Sequence, residues 1–215
     1  MSRIRLMSGH FIDLAQWSRR EHFQLFRGSV QPFFSMTAEV DVTALRDRSD
    51  ASGGPPFFLS ALYATLTAAN DIEAFRQRLQ NGRVWVHDVV NLTSTILRSD
   101  DTFGFARFDM TDSFDEFVER GREEIARAKE VAPLRLPEGD DALIYHSTIP
   151  WVRFTAFTNA IGSASDSIPR IVFGKCTRNE GQYSMPVSVE VHHAVADGWD
   201  VAQFLTQLQQ GLVGS

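Results

Sequence analysis

The sequence predicts an α+β fold, a two-layer sandwich of a mixed, largely antiparallel sheet with helices packed on it. Three observations lead there. Stretches with period-two alternation of apolar residues are interspersed with stretches at helical spacing, without the strand-helix-strand rhythm of a doubly wound sheet. Two candidate strands, 168–176 and 183–193, are joined by Thr-Arg-Asn-Glu-Gly-Gln, a connection suited to a hairpin. No Pro/Gly/Ser-rich linker interrupts the 215 residues, so a single domain over 1–215 is expected.

The elements follow in order. Residues 13–26 set Leu14, Trp17 and Leu25 at helical spacing with polar residues between them, which predicts a helix. From 33 to 43, Phe34, Met36, Ala38, Val40 and Val42 alternate with more polar neighbours and predict a strand with one buried face. Residues 57–70 are almost wholly apolar and are entered through Pro55 and Pro56, as a central helix would be. Segments 83–88, 91–98 and 102–109 are strand candidates separated by short polar turns, which suits an antiparallel meander. A long amphipathic helix is expected over 113–130 and another strand over 142–147. The last helix, 199–212, carries Val201, Phe204, Leu205, Leu208 and Leu212 on one face.

Composition narrows the partners. The chain is 43% hydrophobic and 22% charged, in the ordinary globular range, and its 17 Phe and 4 Trp must be buried in a core, a pocket or a subunit contact. The net charge of -6 and scattered basic residues argue against nucleic acid. Arg3 and Arg5 are followed by no apolar run, and no stretch approaches the roughly 18 apolar residues of a membrane span, so a cytoplasmic protein is expected. Cys176 is the only cysteine, which rules out an intrachain disulfide and a cysteine-rich zinc site.

The residues with chemistry lie near the C-terminus. Residues 187–193 read Val-Ser-Val-Glu-Val-His-His, and alternation sets Val187, Val189, Val191 and His193 on one face, with Ser188, Glu190 and His192 on the other. His193 thus ends a strand beside a tight turn holding Asp197 and Gly198, confined but reachable. A neutral imidazole at physiological pH is suited to taking a proton from an alcohol. Asp197 has two open roles at this point: accepting from the imidazole, or anchoring the turn by pairing with an arginine. A metal site built from His192, His193 and Asp197 is disfavoured, because the strand sends the two histidines to opposite faces.

His192-His-Ala-Val-Ala-Asp-Gly-Trp199 resembles the His-His-x-x-x-Asp-Gly signature of chloramphenicol acetyltransferases, within the CoA-dependent acyltransferase superfamily. Three further stretches share the likeness: Trp17-Ser-Arg-Arg-Glu-His-Phe23, Ser147-Thr-Ile-Pro-Trp-Val-Arg-Phe154 and Met185-Pro-Val-Ser-Val-Glu-Val-His-His193. Together they extend it over about residues 9–210. The resemblance implies transfer of acetyl from acetyl-CoA, a co-substrate rather than a resident cofactor, straight to a hydroxyl of a small acceptor, with chloramphenicol and antibiotic resistance as the leading case. It implies His193 as general base, Ser147 as donor to the oxyanion, and Asp197 with Arg19 as a buried ion pair supporting the site. It further implies Phe26, Phe103 and Phe157 as acceptor-pocket walls, Trp151 and Lys175 near coenzyme A, and a homotrimer with sites at subunit interfaces.

Some positions depart from the family pattern. Gly54-Pro55-Pro56 stands where Phe-Tyr-Pro is usual, Asn159 where an apolar pocket residue is expected, Val172 where a threonine is usual, and Asp200 where a histidine is usual. The departures keep open a diverged acyltransferase with another small alcohol or amine as acceptor. A trimeric ligand-binding protein without catalysis is a weaker alternative, opposed by the joint presence of His193, Ser147, Asp197 and Arg19. A dihydrolipoyl transferase is disfavoured because no lipoyl domain or linker is expected in this chain.

Overall fold

A computed structural model describes residues 8–130, 134 and 139–214; Arg3 and Arg5 lie outside them. The chain opens with β1 (Gly9–Phe11) and α1 (Arg20–Phe26). The helix expected over 13–26 is therefore only its last two turns. Asp13 explains the shortening: its carboxylate accepts from the Ala15 N–H at 2.9 Å and its carbonyl from Gln16 N–H at 3.1 Å, a local turn that competes with helix. Next come β2 (Phe33–Asp41) and α2 (Thr43–Asp50), a helix without an apolar stripe that buries only Leu45. The central α3 (Phe57–Asp71) is entered through Pro56, as expected, and is followed by α4 (Glu73–Arg76).

The meander is where expectation and structure part. After β3 (Gln77–Gln80), β4 (Arg83–His87) pairs with β1 and β3 in a small separate sheet. The β3–β4 turn is Asn81-Gly82, both at positive φ, the conformation a two-residue hairpin needs. Beyond it the chain crosses to a second sheet. Asn70, near the end of α3, pins the crossing by accepting from Val90 N–H at 2.8 Å and donating to Val90 O at 3.0 Å. Only then do β5 (Asn91–Leu97) and β6 (Phe103–Phe108) form the antiparallel pair.

Then come α5 (Phe114–Lys129), capped by Ser113, β7 (Leu143–Thr148), β8 (Arg170–Phe173), β9 (Thr177–Asn179), β10 (Gln182–His192) and α6 (Gly198–Gly214), all near their expected places except β9, which lies in the expected hairpin connection and pairs with β10 across a turn at Glu180-Gly181. The large sheet runs β2-β10-β8-β7-β5-β6, with β9 paired to β10. The β5–β7 and β7–β8 pairs are parallel and the others antiparallel, so the sheet is mixed and largely antiparallel.

One face of this sheet carries the helices. Val187, Val189 and Val191 of β10 join Leu62, Leu66, Phe75 and Phe204 in the main core. The packing of α3 on α6 is close enough that a Cβ on Gly211 would stand 3.1 Å from Ala64 Cβ. Arg78, wholly buried, donates to the carbonyls of Asp141 and Leu143 and so fixes the start of β7. Burial lowers its guanidinium to about 10, which still leaves it charged at neutral pH. Among the described residues no helix is long and apolar enough to cross a membrane.

Candidate active site

The strand register decides which candidate residues meet. β10 ends at His192, and the His193 N–H then donates to Pro32 O at 2.7 Å. The His193 ring stacks on Phe26, centroids 3.9 Å apart and planes 17° apart, and lies 4.9 Å from the Phe34 ring. Its Nδ1 is 3.1 Å from Ala196 O. A carbonyl can only accept, so Nδ1 carries a proton, and in the neutral ring this leaves the lone pair on Nε2. This is the tautomer a base at Nε2 requires. His192 differs sharply: it is buried, its Nε2 donates to Ala164 O at 3.0 Å, and its Nδ1 accepts from Ala194 N–H at 3.1 Å. Burial holds its pKa below the usual histidine value, against the opposing bond to Ala164.

The two open roles of Asp197 resolve in favour of the arginine. Asp197 Oδ2 pairs with Arg19 Nη1, an ion pair that is part-buried rather than buried as expected, with the side chains 31% and 21% exposed, while Oδ1 accepts from Trp199 N–H at 2.8 Å. Asp200 accepts from the Asp197 N–H at 2.8 Å and lies 3.6 Å from Arg19. Asp197 and Asp200 thus form a reciprocal capping box at the start of α6, which locks the turn after His193. Burial pushes the Asp197 carboxyl up, but the bond and charge of Arg19 and the two backbone N–H groups outweigh it and hold the carboxyl low. Asp200, mainly through burial, is raised. The Asp-x-x-Asp spacing at a helix start was the signal for this box.

Ser147 belongs to a different neighbourhood. Its Oγ is 2.8 Å from Thr95 Oγ1 on β5, on the sheet face opposite the helices. Alternation sets Phe105 and Phe103 of β6 on this same face, their rings 5.5 Å apart, and Val172 lies beside Ser147 on β8. One residue back, on the helix side, His146 Nδ1 meets Ser94 Oγ at 2.8 Å, and burial lowers its pKa to about 3, so it is neutral.

Within one chain, Ser147 and His193 are far apart. Ser147 is level with Val172, and Val172 with Ser188, whereas His193 lies five residues further along β10. Five residues along and two strands across correspond to about 20 Å between Cα atoms. Trp151, 62% exposed, and Lys175, exposed and bonded through its N–H to Val152 O at 2.9 Å, stand at the Ser147 end of the sheet and not the His193 end. The structure therefore brings together His193, Phe26, Asp197 and Arg19 in one group. Ser147, Phe103, Trp151 and Lys175 lie toward the other end.

The segment after β7 lies along the outward face of β10. Ser188 Oγ donates to Phe157 O at 3.4 Å, His192 reaches Ala164 O, and Glu190 Oε2 accepts from both the Asn159 N–H at 3.0 Å and Nδ2 at 2.6 Å. The Phe157 ring packs on Phe154 at 5.4 Å. Asn159 is expected as a polar intrusion among acceptor contacts, but its Nδ2 donor is already engaged by Glu190, a carboxylate only 5% exposed. Asn159→Leu should destabilise the fold by about 1.5–3 kcal/mol, since a buried carboxylate loses a charge-assisted bond. Urea unfolding checks this, and an unchanged midpoint contradicts it.

Comparison with known proteins agrees with the fold. A family model described as chloramphenicol acetyltransferase matches residues 7–209. The chloramphenicol acetyltransferase of Clostridium perfringens is 30% identical over 208 residues, covering 95% of this chain and 94% of that protein. Chloramphenicol acetyltransferase 3 of Escherichia coli is 29% identical, covering 92% and 94%. A solved chloramphenicol acetyltransferase superposes with a TM-score of 0.89 at 32% identity, over 95% of this chain and 100% of that one. A dihydrolipoamide acetyltransferase from Azotobacter vinelandii, at 16% identity and a TM-score of 0.65, shares the fold alone. With the match running along nearly the whole chain in both sequence and fold, this acyltransferase belongs to the chloramphenicol acetyltransferase family.

Proposed function

We propose that the chain moves the acetyl group of acetyl-CoA directly to the primary hydroxyl of chloramphenicol, with no acyl-enzyme and no resident cofactor or metal, and so confers resistance to the drug. The His193 imidazole carries this proposal. Its Nδ1–H is committed to Ala196, and Phe26 and Phe34 fix the ring, so Nε2 is the base available to a substrate hydroxyl. Nε2 takes the hydroxyl proton as the oxygen attacks the thioester carbonyl. Ser147 Oγ–H donates to the oxyanion that forms. Collapse of this intermediate breaks the C–S bond, and the proton on His193 passes to the departing coenzyme sulfur. Arg19, Asp197 and the capping box act only by holding the turn.

The active species is a homotrimer in which His193 of one copy faces the Ser147 wall of the next. The separation of about 20 Å within a chain supports this, since direct transfer needs reacting atoms at about 3–3.5 Å. Phe26 enters the site with His193, while Phe103 and Phe157 come with Ser147 as acceptor walls. Trp151 and Lys175 receive the coenzyme, the lysine as a point charge for phosphate. Use of acetyl-CoA suits a cytoplasmic setting.

A different small alcohol or amine is the second reading, favoured by the Asn159–Glu190 pair standing where an apolar acceptor contact is expected. Thiol release from acetyl-CoA, measured with chloramphenicol and with a panel of small alcohols and amines, separates the two. Release with chloramphenicol is the expected result. Release only with another acceptor selects the second reading, and none with any acceptor contradicts both.

A further inference from the structure

We infer that Thr95 is the positioning residue that turns Ser147 into an oxyanion donor. The inference rests on the role proposed for Ser147. A serine hydroxyl has one proton and rotates freely, so by itself it is poorly preorganised for an oxyanion. The only hydrogen-bond contact of Ser147 Oγ among the described residues is Thr95 Oγ1 at 2.8 Å, and geometry alone allows either to donate. Chemistry breaks the tie. If Ser147 donated to Thr95, its single proton would be spent and the oxyanion would face a lone pair. Ser147 can donate to the oxyanion only while Thr95 donates to Ser147.

Thr95 is built for that task. It is β-branched and lies mid-strand in β5, where its χ1 is restricted, so its hydroxyl is held where that of a serine would not be. β5 is fixed on both sides, antiparallel to β6 with Thr95 opposite Phe105, and parallel to β7. The preceding rung is clamped on the other face by the buried Ser94–His146 bond, which resists slippage of β7 against β5. A hydrogen bond received by Ser147 also polarises its own O–H and strengthens the bond it gives.

Thr95→Val keeps the shape and removes the hydroxyl. In the full-length protein it should lower kcat about tenfold, the worth of one such bond at about 1.4 kcal/mol, while the KM for acetyl-CoA stays within about twofold. Thr95→Ser, which returns the donor without the β-branch that holds it, should restore only part of the loss. In a Ser147→Ala background Thr95→Val should add nothing, because the hydroxyl it orients is gone. Wild-type kcat in Thr95→Val alongside impaired Ser147→Ala overturns the inference and leaves the role of Ser147 standing. A full further loss in the double variant also overturns it, since Thr95 would then act independently. Unchanged turnover in Ser147→Ala alone would remove the role of Ser147 and that of Thr95 with it.

Discussion

Replacing His193 with Ala is expected to lower turnover by about 10²–10⁴-fold or more while leaving the fold intact. The ring lies against Phe26 and Phe34 rather than in the main core, and its single hydrogen bond among the described residues is to the nearby Ala196 carbonyl, so little of the fold depends on it. What is lost is the Nε2 lone pair. His192→Ala should behave differently: both its nitrogens are bonded and it is buried, so stability falls more than turnover at saturating substrates. Steady-state kinetics together with thermal unfolding on the two variants decide the matter. A His192 variant that unfolds normally yet loses more turnover than the His193 variant would reverse the assignment.

Ser147→Ala is expected to lower kcat by about 10²–10³-fold, the cost of one oxyanion donor, with little change in acetyl-CoA binding. Among the described residues its hydroxyl bonds only to that of Thr95, itself part-buried, so its removal should not unfold the sheet. Kinetics at varied acetyl-CoA separate the effects. A loss confined to KM would place Ser147 in coenzyme binding instead.

Much of the site was legible because pattern and burial coincide. Alternation in β10 sends Val187, Val189 and Val191 to the helix-covered face, so the strand, its inward set and the histidine at its end all follow from period two. The apolar run of α3 and the stripe of α6 were equally plain. Elements without an apolar period were not: α2 buries one residue, and β1 and β3 are short strands of a sheet whose pairing is entirely tertiary. The meander failed because spacing cannot reveal that Asn70 diverts the chain at Val90 between two sheets. The Thr95–Ser147 bond spans 52 residues and exists only through a parallel pairing of β5 with β7, which no local signal announces. The Glu190–Asn159 bond likewise joins a strand to a loop, and the sequence offers only the types of the two residues.

The central claim is that one site takes its base from one chain and its oxyanion donor from another. Refolding His193→Ala chains together with an equal amount of Ser147→Ala chains tests it directly. Each variant alone is expected to be almost inactive. In randomly mixed trimers a divided site draws an intact His193 from one variant and an intact Ser147 from the other in about a quarter of cases, by simple chance at a head-to-tail interface. Turnover near a quarter of the wild-type value is therefore predicted. Turnover that stays at the level of the separate variants, in a mixture demonstrated to have exchanged chains, would contradict it.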